Sequence, residues 1–440
     1  MRKKLCFLLA SIILLFVGCT HMRIEPSEKT TNSTVPNDQN VTGVPIEEFL
    51  EQDLVVPKIQ NERQEIALEK LSDKWNCIYI FDKVGTHYWG TKFEKNEHAE
   101  SENRIENKEL LIEYDPYKEI ALQYPEKFPQ WQVSSGKNVI MQNRYIYEWF
   151  GYTADPSTMQ DVKLMCKDAV TGKVTVVDER KVETPLVYLL PVDDTHFLSY
   201  YSAQNKSSQS ECSWFMVAEL YDMTGTKKEI VRETYEDDND WPSSKGRAIE
   251  KFAVKDGEIY GLGRQRNAGV YSTHLYHYSQ AGKLLDTQEL PDMEKVLGDE
   301  QTLELHLVGD YIVIRTYETL TTYICKNAET GLECIAKGAY GQLSYAISKY
   351  DKNPYIFFIE GNVGNDGTIK DSDCPLFAIN TNSHKITSFP LQLPLKSPSF
   401  DGLQVLSNGD MLLSYCEGNY NPLDIKKFIV KKDRLEQILR

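Results

Sequence analysis

A strand–turn–strand unit recurs seven times along this chain of 440 residues, and that recurrence constrains the fold more than any other feature of the sequence. The units read LLIEYDPYKEIALQY (110–124), KLMCKDAVTGKVTVVDE (163–179), VAELYDMTGTKKEIVRE (217–233), LYHYSQAGKLLDTQE (275–289), TYICKNAETGLECIA (322–336), LFAINTNSHKITSFP (376–390) and KFIVKKDRLEQIL (427–439). Their turns begin at Asp115, Asp168, Asp222, Ser279, Asn327, Asn380 and Lys431, at spacings of 53, 54, 57, 48, 53 and 51 residues. Asp, Asn and Ser open turns because a short polar side chain accepts a hydrogen bond from backbone a residue or two ahead. A second pair of strand-like runs precedes each hairpin, clearest in Ile249–Val254 with Glu258–Leu262 and in Leu303–Val308 with Tyr311–Thr316. Twenty-six Tyr and 16 Phe beside only 25 Gly and 18 Pro fit strands in the same way. The expected class is all-β, with four short strands per unit and each unit burying its apolar face against its neighbours.

Four strands in roughly 50 residues is the arithmetic of a propeller blade, whereas a pair of sandwiches leaves the seven-fold period unexplained and solenoid coils are shorter. The tip of the form Tyr-Asp-x-x-Gly-Lys between the two outer strands resembles the bacterial seven-bladed β-propeller superfamily over most of the chain, with no named propeller subfamily matched. The resemblance implies a seven-bladed β-propeller of four-stranded blades over residues 60–440. It also implies that the hairpin tips lie on one face, while the loops joining second to third strands and the loops between blades open on the other.

The first residues carry an address. Met1-Arg2-Lys3-Lys4 is a basic start, and Leu5–Gly18 is an uncharged apolar run of signal-peptide length. Phe16-Val17-Gly18-Cys19 then resembles the bacterial lipobox, which implies cleavage after residue 18 and diacylation, a palmitate-type modification, of Cys19. Two acyl chains hold a protein stably on a bilayer where one does not. The expected location is therefore the outer, extracytoplasmic side of the cell membrane, through the N-terminal lipid. Residues 19–59, rich in Ser, Thr, Asn, Pro and Glu, read as a flexible tether.

Net charge is −16, and loss of Arg2, Lys3 and Lys4 with the signal takes it to −19, which disfavours nucleic acid as a partner. Beyond Cys6 and Cys19, the seven remaining cysteines are Cys77, Cys166, Cys212, Cys325, Cys334, Cys374 and Cys416, with no CxxC pair and no metal-ligand spacing. Cys325 and Cys334 flank a turn and could face each other across a hairpin; buried free thiols are the expectation for the set. Asn365–Asp371 offers oxygen atoms without EF-hand spacing, and His274 and His277 fall on opposite faces of one strand, so no metal and no cofactor is expected.

The long, non-repeating loops (94–109, 204–212, 236–246, 290–301 and 361–373) all fall on the face away from the tips, where a rigid scaffold displays binding chemistry. Carboxylates and aromatic rings gather there. Trp89, Trp149, Tyr152, Trp214, Asp238, Asp240 and Trp241 are the candidate ligand-binding residues, with Arg264 as a rim cation. Aromatic faces beside carboxylates suit the CH faces and hydroxyls of sugars, and they suit cationic peptides. The sequence holds no P-loop, HExxH or GxSxG. The reading is an extracytoplasmic ligand-binding or interaction module for a glycan or a peptide. Its alternatives are a propeller-type hydrolase or lyase acting on extracellular carbohydrate or lactone, and a scaffold for envelope proteins.

Overall fold

Residues 44, 46–57, 66, 68–84, 87–95, 105–113, 120–122, 131–133, 139–141, 144–151, 160–168, 171, 173–182, 187–206, 212–236, 247–267, 270–298, 300–328, 331–339, 342–348, 354–360, 373–392, 398–417, 421 and 423–439 are described in a computed structural model of the chain. The protein is mostly β. After β1 (Glu69–Lys70), the strands fall into successive antiparallel sheets. The first contains β2 (Ile78–Val84), β3 (His87–Lys95), β4 (Ile105–Glu113) and β5 (Ile120–Leu122). In the second, β6 (Trp131–Val133) and β7 (Val139–Met141) share one edge of β8 (Arg144–Gly151), followed by β9 (Gln160–Asp168) and β10 (Val174–Val182). The third runs β11 (Val187–Pro191), β12 (His196–Lys206), β13 (Cys212–Asp222) and β14 (Lys227–Glu236). The fourth runs β15 (Arg247–Lys255), β16 (Glu258–Asn267), β17 (Val270–Tyr278) and β18 (Leu284–Glu289). The fifth runs β19 (Thr302–Val308), β20 (Tyr311–Thr316), β21 (Thr322–Ala328) and β22 (Gly331–Gly338). The sixth runs β23 (Leu343–Ile347), β24 (Tyr355–Glu360), β25 (Asp373–Asn380) and β26 (Lys385–Gln392). The last contains β27 (Pro398–Val405), β28 (Met411–Glu417) and β29 (Ile425–Val430), completed by β1.

The recurring tips are turns closed by the side chain that opens them. Asp222 Oδ1 accepts from the backbone N–H of Thr224 at 2.8 Å and of Thr226 at 2.9 Å. Asp168 accepts from Thr171 N at 2.8 Å, and Asn380 from Asn382 N at 3.0 Å and Ser383 N at 2.9 Å. Gly225 sits at φ 90° and Gly282 at φ 77°, a backbone region that costs a glycine nothing and other residues a good deal. At Asp168, Asp222 and Asn380 the period seen in the sequence is thus the period of one local hydrogen-bonding device.

The apolar core lies between successive sheets. Leu198, Tyr200 and Ala218 of the third sheet meet Ile249, Phe252 and Tyr276 of the fourth. Leu262 and Leu275 of the fourth meet Leu305 and Ile314 of the fifth, and Val313 and Ile324 of the fifth meet Ile356 and Phe358 of the sixth. Phe357 and Leu376 continue the series against Leu413 and Phe428 of the last sheet. Trp75, Ile80 and Tyr88, at the start of the first sheet, pack against Leu406, Leu412 and Ile429 of the last. The fourth, fifth, sixth and last sheets therefore bury both of their faces, which explains why their middle strands carry nearly continuous apolar runs such as Tyr355–Ile359.

The seventh unit departs from the expected strand–turn–strand. After β29, the chain forms a helix over Lys432–Leu439 rather than an outer strand. Leu435, Ile438 and Leu439 lie at helical spacing and pack on the last sheet, and Asp410 Oδ1 accepts from the Lys432 N–H at 3.0 Å at the helix start. The outer strand comes from the front of the chain instead, with Glu69 opposite Ile429 and Lys70 opposite Phe428. Lys427, buried, donates from Nζ to the carbonyls of Trp75 at 3.0 Å and Ile425 at 3.2 Å, tying the last sheet to the start of the first.

The segment expected to be a tether through residue 59 is docked from residue 44. Val44 N donates to Cys334 O at 3.0 Å, and Val55 N to Lys337 O at 2.9 Å. Between them, helix α1 (Ile46–Glu51) buries Ile46 and Phe49 against the fifth sheet. Ile66 then bridges Leu391 on the sixth sheet before β1 joins the last. The described residues of this stretch form a belt along the outer strands of the fifth and sixth sheets. Its polar composition hides a few apolar anchors.

Candidate functional site

The first strands of the third to sixth sheets carry polar residues where a two-sided core would put apolar ones. On β19, Leu305 and Leu307 enter the core, while Glu304 and His306 alternate onto the other side. On β23, Leu343 and Ala346 are core residues and Tyr345 is half-buried. Leu189 is buried beside half-buried Tyr188 on β11, and β15 carries Lys251 two residues after Ile249, across a bulge in its pairing with β16. The first strands of neighbouring sheets lie against one another, β11 on β15 and β15 on β19. Four residues far apart in sequence are brought into one polar patch.

Tyr345 Oη donates to Glu304 Oε2 at 2.5 Å, and the Arg315 guanidinium stands 4.0 Å from the other carboxylate oxygen. Lys251 Nζ lies 3.6 Å from the centre of the Tyr188 ring, a cation–π contact that keeps a nearly buried ammonium in a favourable field. Tyr188 stacks on Tyr200 with ring centres 4.8 Å apart, and His306 meets Tyr345 edge-on at 5.7 Å. Burial, followed by the nearby Tyr317 and Glu304, pushes the Tyr188 phenol up to about 12. Burial and the Glu304 carboxylate raise Tyr345 as well, and burial raises Tyr200. The phenols therefore stay protonated at neutral pH and act as hydrogen-bond donors and acceptors, not as phenolate nucleophiles. The Glu304 side chain is 43% exposed, so the patch is open to a ligand. It offers phenol hydroxyls, two cations and one carboxylate.

Of the residues singled out in the sequence, Arg264 is the one whose side chain is described. Trp89, Trp149 and Trp214 lie on β3, β8 and β13, with their side chains outside the described residues. Tyr152, Asp238, Asp240 and Trp241 lie outside the described residues, as do residues 1–18, Cys19 and Asn365–Asp371. Arg264 is inside the protein, not at a rim. Its Nε donates to Glu250, Nη1 to Gly298 O at 2.9 Å and Nη2 to Glu300 O at 2.9 Å. Glu250 also accepts from Thr302 N at 3.0 Å, so the pair pins the link between the fourth and fifth sheets. That link, expected to be a binding loop at 290–301, contains the short helix α2 (Met293–Leu297), with Met293 and Leu297 in the core. Tyr88 and Tyr200 are likewise core rings.

A recess of about 430 Å³ opens elsewhere, between the fourth and fifth sheets near the Asp310 turn. Its polar groups serve the fold. His277 stacks on Tyr260 at 4.5 Å and meets Glu258 at 3.3 Å, so the recess is a weaker site than the first-strand patch despite its volume. Among the described residues no group of three or more His, Cys, Asp or Glu side chains could hold a metal ion.

No protein-family model matches the chain, and no curated protein matches it in sequence. Solved structures similar to it include a prolyl endopeptidase (14% identity, TM-score 0.44, over 77% of this chain and 45% of that one). An oligogalacturonate lyase from Vibrio parahaemolyticus is similar at 12% identity and TM-score 0.43, over 86% of this chain and 100% of that one. The β-propeller domain of the Trilobed protease from Pyrococcus furiosus is similar at 10% identity and TM-score 0.43, over 80% and 92%. The chain thus spans less than half the length of the prolyl endopeptidase.

The first-strand patch escaped the sequence reading because its members carry no local motif and 41 residues separate even Glu304 from Tyr345. A signal was present. Charged or phenolic residues interrupt the first strand of successive units, as in Ile249-Glu250-Lys251-Phe252 and Leu303-Glu304-Leu305-His306.

Proposed function

We propose that the protein is a lipid-anchored, extracytoplasmic seven-bladed β-propeller that binds a glycan bearing an acidic group at the mouth of its central channel. The propeller reading is supported by the serial packing of the sheets and by the return of the N-terminal strand to the last sheet. Each first strand is then the inner strand of a blade, and the Tyr188–Lys251–Glu304–Tyr345 patch lines the channel. That patch carries the functional reading. Stacked rings suit sugar faces, and protonated phenols and Glu304 suit hydroxyls. The cations Lys251 and Arg315 suit a carboxylate or sulfate on the ligand. The export and anchor reading rests on Arg2–Lys4, the apolar run 5–18 and Cys19.

Thermal shift of the soluble body against acidic oligosaccharides, neutral oligosaccharides and cationic peptides tests the binding class. A ligand at a hundred times its Kd raises stability by about 2.7 kcal/mol. Acidic oligosaccharides are expected to raise the Tm; a response confined to peptides would replace the glycan reading. Cys19→Ser is expected to abolish palmitate incorporation and release the protein from membranes, and a lipid label that persists in this variant would refute the anchor.

A further inference from the structure

The hairpin of β21 and β22 places Cys325 directly opposite Cys334, with their Sγ atoms 3.3 Å apart. Directly opposed residues of an antiparallel pair have Cα atoms about 4.5 or 5.5 Å apart, and both values lie inside the window a disulfide requires. Both thiols are buried, and what buries them includes the belt. Val44 donates its N–H to the Cys334 carbonyl, and Ile46, Phe49 and Val55 pack into the same apolar cluster. Cys166, by contrast, lies opposite Ile146 and Thr175 in its strand registers.

We propose that Cys325 and Cys334 are a disulfide-forming site, closed by a small disulfide oxidant and covered by the belt of residues 44–55. One cysteine, as thiolate, attacks a sulfur of the oxidant and releases one oxidant thiol. The second cysteine attacks the mixed disulfide, forming the Sγ–Sγ bond and releasing the other oxidant thiol. Two protein thiols and one oxidant disulfide become one protein disulfide and two oxidant thiols, so atoms, protons and electrons balance. The neighbouring Cys334 thiol and burial both hold Cys325 above the ordinary thiol range, which keeps the thiolate scarce while the belt is seated. Oxidation is therefore governed by release of the belt. The bond formed would lock the hairpin to which the belt is attached.

The test uses the full chain, reduced, exposed to oxidised glutathione, quenched in acid and alkylated in denaturant, with peptides mapped by mass spectrometry. Cys325 and Cys334 are expected in one crosslinked peptide pair, with Cys166 alkylated. The crosslink should form about tenfold faster or more in Phe49→Ala, or in the wild type in sub-denaturing urea, where the belt opens locally. Alkylation of both Cys325 and Cys334 under all three conditions would overturn the site. A crosslink that forms at one rate with the belt seated or loosened would overturn its role as cover.

Discussion

At the scale of single residues, Arg264 shows how burial converts a candidate ligand contact into a structural one. Its guanidinium and the Glu250 carboxylate are both about 6% exposed, and every nitrogen of the fork has an acceptor within the protein. Removing one member of a buried pair strands the other, at a cost of about 3–5 kcal/mol. Urea denaturation of Arg264→Ala is expected to show a loss of that size, and Arg264→Met with Glu250→Gln a smaller one. The turn acids predict a pH dependence. Hydrogen bonds from Thr224 and Thr226 hold Asp222 at about 2, and those from Thr195 and His196, against a burial penalty, hold Asp193 at about 2. A carboxylate depressed in the folded state contributes stability that is complete above its ordinary value of 3.8 and is lost as pH falls towards 2. Melting temperatures are expected to fall steeply between about pH 4 and pH 2, and Asp222→Asn, which keeps the turn acceptor without the charge, should blunt that fall.

At the scale of elements, what was legible in the sequence was whatever repeats locally. The tips could be read because one side chain and two or three backbone groups make each turn, as Asp222 and Asn380 do. β1 could not be read: a two-residue strand has no alternation, and its partner Ile429 lies at the other end of the chain. The helix over Lys432–Leu439 reads as a strand in the sequence because eight residues give only two turns of helical period. The belt was concealed by polar neighbours around Phe49, which is wholly buried. Phe49→Ala is expected to cost about 3–5 kcal/mol in unfolding free energy, as large core truncations do. A chain beginning at Leu71 leaves β29 with an open edge, and light scattering should show it self-associating where the longer chain does not.

At the scale of the whole molecule, β1 and β29 meet in the last sheet, and the packing series returns from that sheet to the first. Sequential stacking puts the first strands of four neighbouring sheets side by side, and this alone assembles Tyr188, Lys251, Glu304 and Tyr345. No stretch of sequence holds the patch; the serial stacking of the sheets makes it. The most direct test is calorimetric titration of the soluble body with acidic oligosaccharides, for the wild type, Glu304→Gln, Tyr345→Phe and Lys251→Met. Loss of one hydrogen-bonded or charged contact is expected to weaken binding by about tenfold or more in each variant, with Tm values showing the fold intact. Wild-type affinity in all three variants, or no heat of binding from any oligosaccharide, would contradict the account.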